Sequence, residues 1–369
     1  MHGLRSAHVV HEKPAGLKPL RRAHTLPAVD RIRDEEGLLA CLRDIQADIR
    51  DQVVAACAAR PADQMAAALG KQAGDMVYAV DRVSEEVLVQ RFARLADEWP
   101  CLLIAEGLGQ DGRQLLPSGI EEEQAEIVVI VDPIDGTRGL MYQKRSAWVL
   151  TGVAARPAGG RPATLADLRL AVQTEIPTLK QHLCDVAWAV AGAGAAAERV
   201  DRLSGARAPL ALRPSHATTV AHGFGSLAKF FAGTRAALAE IDDALIARLA
   251  AGGGEGEALV FDDQYISTGG QLFELMSGHD RFVADVRPLL IPGLRQRGAP
   301  APLCAHPYDL ATELVAREAG VIVTDPAGQP LRAPLDVSTD VAWAGFANSA
   351  LAQTIGGALR AELTARGLL

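Results

Sequence analysis

Aromatic side chains, cysteines and surplus positive charge are all scarce in this sequence. Aromatics make up 4 % of the residues, which leaves little planar surface for stacking a nucleobase. The five cysteines, at 41, 57, 101, 184 and 304, form no Cys-x-x-Cys pair and no cluster with histidine. That argues against disulfides or a zinc site and suits free thiols in a reducing cytoplasm. The formal net charge is −8, so neither a nucleic-acid polymer nor an anionic membrane surface is an expected partner. No apolar run is long enough to span a bilayer. Met1 to Leu26 carries basic residues without an apolar core, so no signal peptide is expected. Its irregularly spaced His2, His8, His11 and His24 read as part of a mobile tail over residues 1–34.

What the chain does have is apolar material. Hydrophobic residues make up 49 % and charged residues 22 % of 369, enough for a large core shared by two lobes. Leu38, Leu42, Ile45, Ile49 and Val53 recur at helical spacing and predict a helix over about 35–59. A second helix is expected over 82–98 with Asp81 as its N-cap. Short apolar runs at 101–105, 127–131, 148–155, 167–172 and 183–190 predict strands, and the small residues of 191–197 a flexible connector. Farther on, helical patterns near 227–250, 270–277, 310–319 and 350–365 alternate with strand-like runs at 282–286, 321–324 and 342–344. The reading is an α+β lobe over 35–212 and an α/β lobe over 213–369.

The segment richest in chemistry is Val128-Val129-Ile130-Val131-Asp132-Pro133-Ile134-Asp135-Gly136-Thr137. A strand runs into a turn with two carboxylates three residues apart. Pro133 fixes one backbone angle between them, and Gly136 permits a tight bend after the second. Such a turn can aim Asp132, Asp135 and the Ile134 carbonyl at one point, three hard oxygens of the kind magnesium takes. The amides of Gly136 and Thr137 follow as an anion site. An Asp-Pro-x-Asp-Gly stretch can equally be an ordinary turn.

Asp132 to Thr137 resembles the signature of the inositol monophosphatase superfamily, which also holds bisphosphate nucleotidases and fructose-1,6-bisphosphatases. Other landmarks follow in the same order, over roughly Glu35 to the C-terminus. Leu103-Ile104-Ala105-Glu106-Gly107 resembles a strand ending in Gly-Glu-Glu, with Gly107 in place of the second acid. Lys71 and Val77-Tyr78-Ala79-Val80-Asp81 resemble a Lys followed by Thr-x-x-Asp, with Tyr78 for Thr. His306-Pro307-Tyr308-Asp309-Leu310-Ala311 resembles Trp-Asp-x-Ala-Ala, with Tyr308 for Trp. Ser267-Thr268-Gly269-Gly270-Gln271-Leu272 resembles a helix start beside the substrate, and glycine packing explains it as well.

The resemblance implies a layered α-β-α-β-α sandwich and a lithium-sensitive phosphatase dependent on two or three Mg²⁺ ions. It implies Glu106, Asp132, the Ile134 carbonyl, Asp135 and Asp309 as metal ligands, and Gly136 and Thr137 as phosphate contacts. Thr137 and Asp81, with Glu106, would activate the attacking water. Gly269, Gly270 and His216 would face the organic part of a small phosphorylated metabolite, and the assembly would be a homodimer. The stretch 299–305 before the last motif has no acid, which speaks against inositol itself. A sugar or polyol phosphate is therefore the first reading. Thr137-Arg138-Gly139-Leu140 keeps a 3′(2′),5′-bisphosphate nucleotidase as the alternative. A non-catalytic regulator on the same fold is a reading of another class.

Overall fold

The computed structural model describes residues 32–59, 62–65, 68–72, 75–109, 111–249 and 260–369, without the side chains of 62–63, 68–72 and 75–86. The described residues open with α1 (Glu35–Ala59), the short α2 (Ala62–Met65), the antiparallel strands β1 (Ala68–Gln72) and β2 (Asp75–Tyr78), and α3 (Ala79–Leu95). The expected amphipathic stripe of α1 is real. Leu38, Leu42, Ile45, Ile49 and Val53 are all buried, each stabilising the fold by about 1.5–3 kcal/mol relative to exposure. β2 runs directly into α3, so Asp81 lies within the helix and is not its N-cap, as the sequence had suggested.

Next come β3 (Cys101–Ala105), β4 (Arg113–Leu116), β5 (Ile127–Asp135), α4 (Thr137–Met141), β6 (Ala147–Ala155), β7 (Leu168–Ile176), β8 (Leu183–Val190), β9 (Gly194–Asp201) and β10 (Arg207–Leu210). Eight of these strands form one sheet in the order β10-β9-β8-β7-β6-β5-β3-β4. Only β3 and β5 pair in parallel; the other neighbours are antiparallel. The residues 191–197, expected as a connector, form the β8–β9 turn and half of β9. Their alanine and glycine content hides the alternation that normally marks a strand. Both faces of the sheet are covered, which accounts for the unbroken apolar runs. Leu103, Val129, Val131, Val149 and Val153 face one core with α1 and α3; Leu102, Ile104, Val128, Ile130 and Leu150 face the other.

The remainder is β11 (Gly223–Leu227), α5 (Arg235–Leu249), β12 (Val260–Phe261), α6 (Thr268–Met276), β13 (Asp280–Asp285), α7 (Arg287–Gln296), α8 (Glu313–Glu318), β14 (Ile322–Thr324), β15 (Trp343–Phe346) and α9 (Ser349–Ala365). The helix expected from 227 begins only at Arg235, because Leu227 ends a strand and Gly233 turns the chain at φ +98°. A five-stranded sheet, β12-β11-β13-β15-β14, lies beyond α6 and α8, and α5 and α9 pack against each other on its far side. The layers are therefore helices, eight-stranded sheet, helices, five-stranded sheet, helices: the α-β-α-β-α sandwich. Among the described residues no helix is long and apolar enough to cross a membrane.

Candidate metal centre

Asp132 and Asp135 sit at the C-terminal end of β5, where its pairing with β6 is interrupted between Asp132 and Asp135. That interruption is the Pro133 turn. It frees the Ile134 amide, which donates to Asp132 Oδ1 at 2.9 Å. Gly136 follows at φ +97°, a left-handed backbone that favours glycine, and α4 starts directly after it. The Thr137 hydroxyl donates to the Ile134 carbonyl at 2.8 Å. A carbonyl oxygen has two lone pairs, so Ile134 can still serve as a ligand.

Asp309 arrives from a distant segment, just before α8. It stands in a tight turn of successive 306–313 backbone bonds before α8, and its Oδ2 accepts the His306 amide at 2.6 Å. Carboxylate oxygens of Asp132, Asp135 and Asp309 lie within 4.8 Å of one another, a group that could hold a metal ion. β6 approaches this turn so closely that a Cβ on Gly152 would come within 2.5 Å of the Ala311 carbonyl oxygen.

Asp135 has an unforeseen partner. Ser267 Oγ donates to its Oδ2 at 2.8 Å, Gly269 N to the same oxygen at 2.6 Å, and Thr268 N to Oδ1 at 3.3 Å. The first turn of α6 thus holds a carboxylate from 132 to 134 residues away, with its dipole aimed at the negative charge. The Gly269 amide serves Asp135, and the Gly270 amide bonds Ser267 Oγ at 2.9 Å. Packing requires both glycines, since a Cβ would meet Leu150 at 2.4 Å from Gly269 and Tyr265 at 2.4 Å from Gly270. The structure accordingly turns these two glycines toward Asp135 and the core. His216 is exposed. Its neighbours Ser215 and Ala217 are tied by their carbonyls to Asn348, and Gly278 packs against Arg213. That places His216 at the end of α6 opposite Asp135, away from the aspartates.

Electrostatics make the cluster costly without a cation. Burial, then the charges of Asp135, Asp309 and Glu106, hold Asp132 well above the usual carboxylate range. Burial and Asp309 push Asp135 up to about 8, against the lowering effect of its Gly269, Ser267 and Thr268 bonds. Among the described residues no lysine or arginine forms an ion pair with any of the three. Glu106 is half-buried after β3 and near enough for its charge to act on Asp132, though outside the 4.8 Å grouping. Gly107, where the family pattern has a second acid, turns at φ +87°. A glutamate there would cost about 1–2 kcal/mol in the left-handed region. The side chains of Lys71 and Asp81 lie outside the described residues.

Sequence reasoning missed two further groups. His306 stacks on Tyr308 with ring planes 14° apart and lies 3.7 Å from both Asp309 and Asp340. Burial opposes its charged form, but Asp309, Asp340 and Glu106 outweigh that and raise its pKa. Arg287, buried at the start of α7, grips Asp285 through two bonds of 2.8 and 2.5 Å. Its guanidinium lies over Phe230, 4.6 Å from the ring centre, while Arg138 stands 5.2 Å from the Phe231 centre. Nothing in the spacing of residues 230 and 287 announces this cluster.

No family model matches the chain, and no curated protein matches it. Solved structures do. A hypothetical protein from Pyrococcus horikoshii with similarities to inositol-1 monophosphatase is 17 % identical, with a TM-score of 0.57 over 87 % of this chain and 98 % of its own. Fructose-1,6-bisphosphatase from Leishmania major is 13 % identical, with a TM-score of 0.62 over 89 % and 96 %. The extragenic suppressor protein SuhB from Bartonella henselae is 13 % identical, with a TM-score of 0.59 over 88 % and 99 %. Together with the layer order and the Asp132–Thr137 turn, these likenesses show that the chain has the fold of the inositol monophosphatase superfamily.

Proposed function

We propose that the protein is a magnesium-dependent phosphatase acting on a small sugar or polyol phosphate monoester. The observation that carries this is the convergence of Asp132, Asp135 and Asp309, buried or nearly so and without a lysine or arginine partner among the described residues. The donor set fits magnesium, since carboxylate and carbonyl oxygens are its preferred ligands. Asp132, Asp135, Asp309, Glu106 and the Ile134 carbonyl would hold two or three ions. Bound there, Mg²⁺ would neutralise phosphoryl charge and acidify a water for in-line attack.

The chain's own residues do the positioning. Ser267 and the α6 amides hold Asp135 at one angle, and the His306 amide holds Asp309. We assign the phosphate to the amides of Gly136 and Thr137, and removal of the water proton to Thr137 and Asp81. The assembly is proposed to be a homodimer. The alternative bisphosphate nucleotidase reading gains support from one feature. Phe230 and Phe231 pack edge to face between Arg138 and the buried Arg287, which offers half-buried aromatic surface beside the Asp132–Thr137 turn.

The test is phosphate release from sugar phosphates, inositol phosphates and 3′-phosphonucleotides, with and without Mg²⁺. Magnesium-dependent release from a sugar or polyol ester supports the first reading, and preference for the 3′-phosphonucleotide supports the second. No release from any ester by folded, magnesium-bound protein would favour the non-catalytic regulator.

A further inference from the structure

Asp135 and Asp309 come from different lobes, so something must fix the distance between their supports. Gln173, on β7, is fully buried and stands opposite Leu150 of β6, on the sheet face that meets α6 and α8. Its Nε2 donates to the Gly269 carbonyl at 2.7 Å, and its Oε1 accepts the Thr312 hydroxyl at 2.9 Å. Gly269 is the residue whose amide holds Asp135. Thr312 lies three residues after Asp309, in the same tight turn, and is itself fully buried. One amide group therefore joins the two segments that present the two aspartates.

We propose that Gln173 is a positioning residue that sets the separation of Asp135 and Asp309. This rests on the reading of the three aspartates as a metal site. Gly269 is held at both ends, by Asp135 at its amide and by Gln173 at its carbonyl, so a shift of Gln173 moves the donor that orients Asp135. The far end of α8 is fixed separately: Glu318 accepts the Gly192 and Gly194 amides of the β8–β9 turn at 2.7 and 2.9 Å. Loss of the Gln173 bond would leave α8 anchored there while its Asp309 end is released. Partners that orient ligands without touching the ion typically change metal affinity by about 10- to 100-fold.

The protein contains its own control. Gln46 of α1 is equally buried and also bonds twice, to Thr151 Oγ1 and the Val172 carbonyl at 2.8 Å each, but on the opposite face of the same sheet. It touches neither ligand segment. The experiment is calorimetric titration of Mn²⁺ into metal-free wild type, Gln173→Met, Thr312→Val, the double variant and Gln46→Met, with Tm recorded for each. The expected result is a Kd weakened roughly tenfold in Gln173→Met and in Thr312→Val. The double variant should be little worse than the weaker single one, because both lose the same bond. Gln46→Met should lower Tm and leave Kd unchanged. Should Gln173→Met fail to fold, Thr312→Val, which keeps the side-chain volume, carries the test. Unchanged affinity in the folded Gln173 and Thr312 variants would overturn the proposal while the metal reading stood. A wild type that binds no Mn²⁺ would overturn both.

Discussion

Removing one charge from the aspartate cluster should have opposite effects on stability and on activity. Asp132 is the natural choice, because the charges of Asp135, Asp309 and Glu106 all act on it. Its Oδ1 accepts the Ile134 backbone amide, which an asparagine carbonyl can also do, so Asp132→Asn keeps the turn. At 4.8 Å a pair of like charges repels by about 3 kcal/mol at an effective dielectric constant of about 20. Part of that is already relieved in the metal-free protein, because burial and repulsion keep Asp132 protonated above its usual range. A net gain of about 1–3 kcal/mol is therefore expected for metal-free Asp132→Asn at pH 8, seen as a Tm a few degrees higher. The sign follows from linkage. A carboxyl with a raised folded pKa costs stability as pH rises above its unfolded value near 4, so the gain should shrink at pH 5. With Mg²⁺ the order reverses: wild type gains stability from the ion, and the variant gains far less. Turnover should fall by more than about 100-fold, beyond the usual loss for residues that only support a ligand. Differential scanning fluorimetry at pH 5 and 8, with and without Mg²⁺, reads the first part, and phosphate release reads the second. A metal-free Asp132→Asn that is less stable than wild type, yet responds to Mg²⁺ as strongly, would refute the reasoning.

Three other perturbations test separate parts of the structure. Gly152→Val should lower Tm by overpacking worth about 1–3 kcal/mol and weaken metal binding, because its side chain must push the Ala311 carbonyl and with it the Asp309 turn; thermal melts and Mn²⁺ titration check both. Ser267→Ala should cost about 1 kcal/mol through loss of the α6 N-cap and should also weaken metal binding, since the same hydroxyl holds Asp135; a stability loss with unaltered metal affinity would separate the two roles. Asp280, pushed up to about 7 by burial and Glu274 against the lowering effect of His279 and Arg145, holds its proton longer folded than unfolded. Stability should therefore fall as pH rises from about 4 to about 7, and Asp280→Asn should be more stable than wild type at pH 8 by about 1–3 kcal/mol but not at pH 4, in urea melts at the two pH values.

The metal turn was readable because its chemistry is local. Asp132, Pro133, Asp135 and Gly136 carry the strand end, the fixed backbone angle, the two carboxylates and the reversal within a few residues, and β5 and α1 announce themselves by apolar pattern. Asp309 was legible only through the family resemblance, since an aspartate before a helix is otherwise a cap. The support around Asp135 was not legible. Ser267 falls at the helix start that the resemblance implied and caps that helix, but its second bond crosses 132 residues and depends on how α6 packs against β5. Gln173 sits in a polar run, Gln173-Thr174-Glu175, at the end of β7, and nothing in that run marks it as the residue with two distant partners. The strands β4 and β10 escaped notice because they are short edges, and β10 is largely exposed.

The central claim, that Asp132, Asp135 and Asp309 form a divalent-metal site, is tested most directly by a crystal grown with Mn²⁺ and measured for anomalous scattering. The account predicts a peak coordinated by carboxylate oxygens of these three residues at roughly 2.0–2.3 Å. Well-ordered aspartates with no anomalous peak among them at millimolar Mn²⁺, or a peak only elsewhere on the protein, would contradict it.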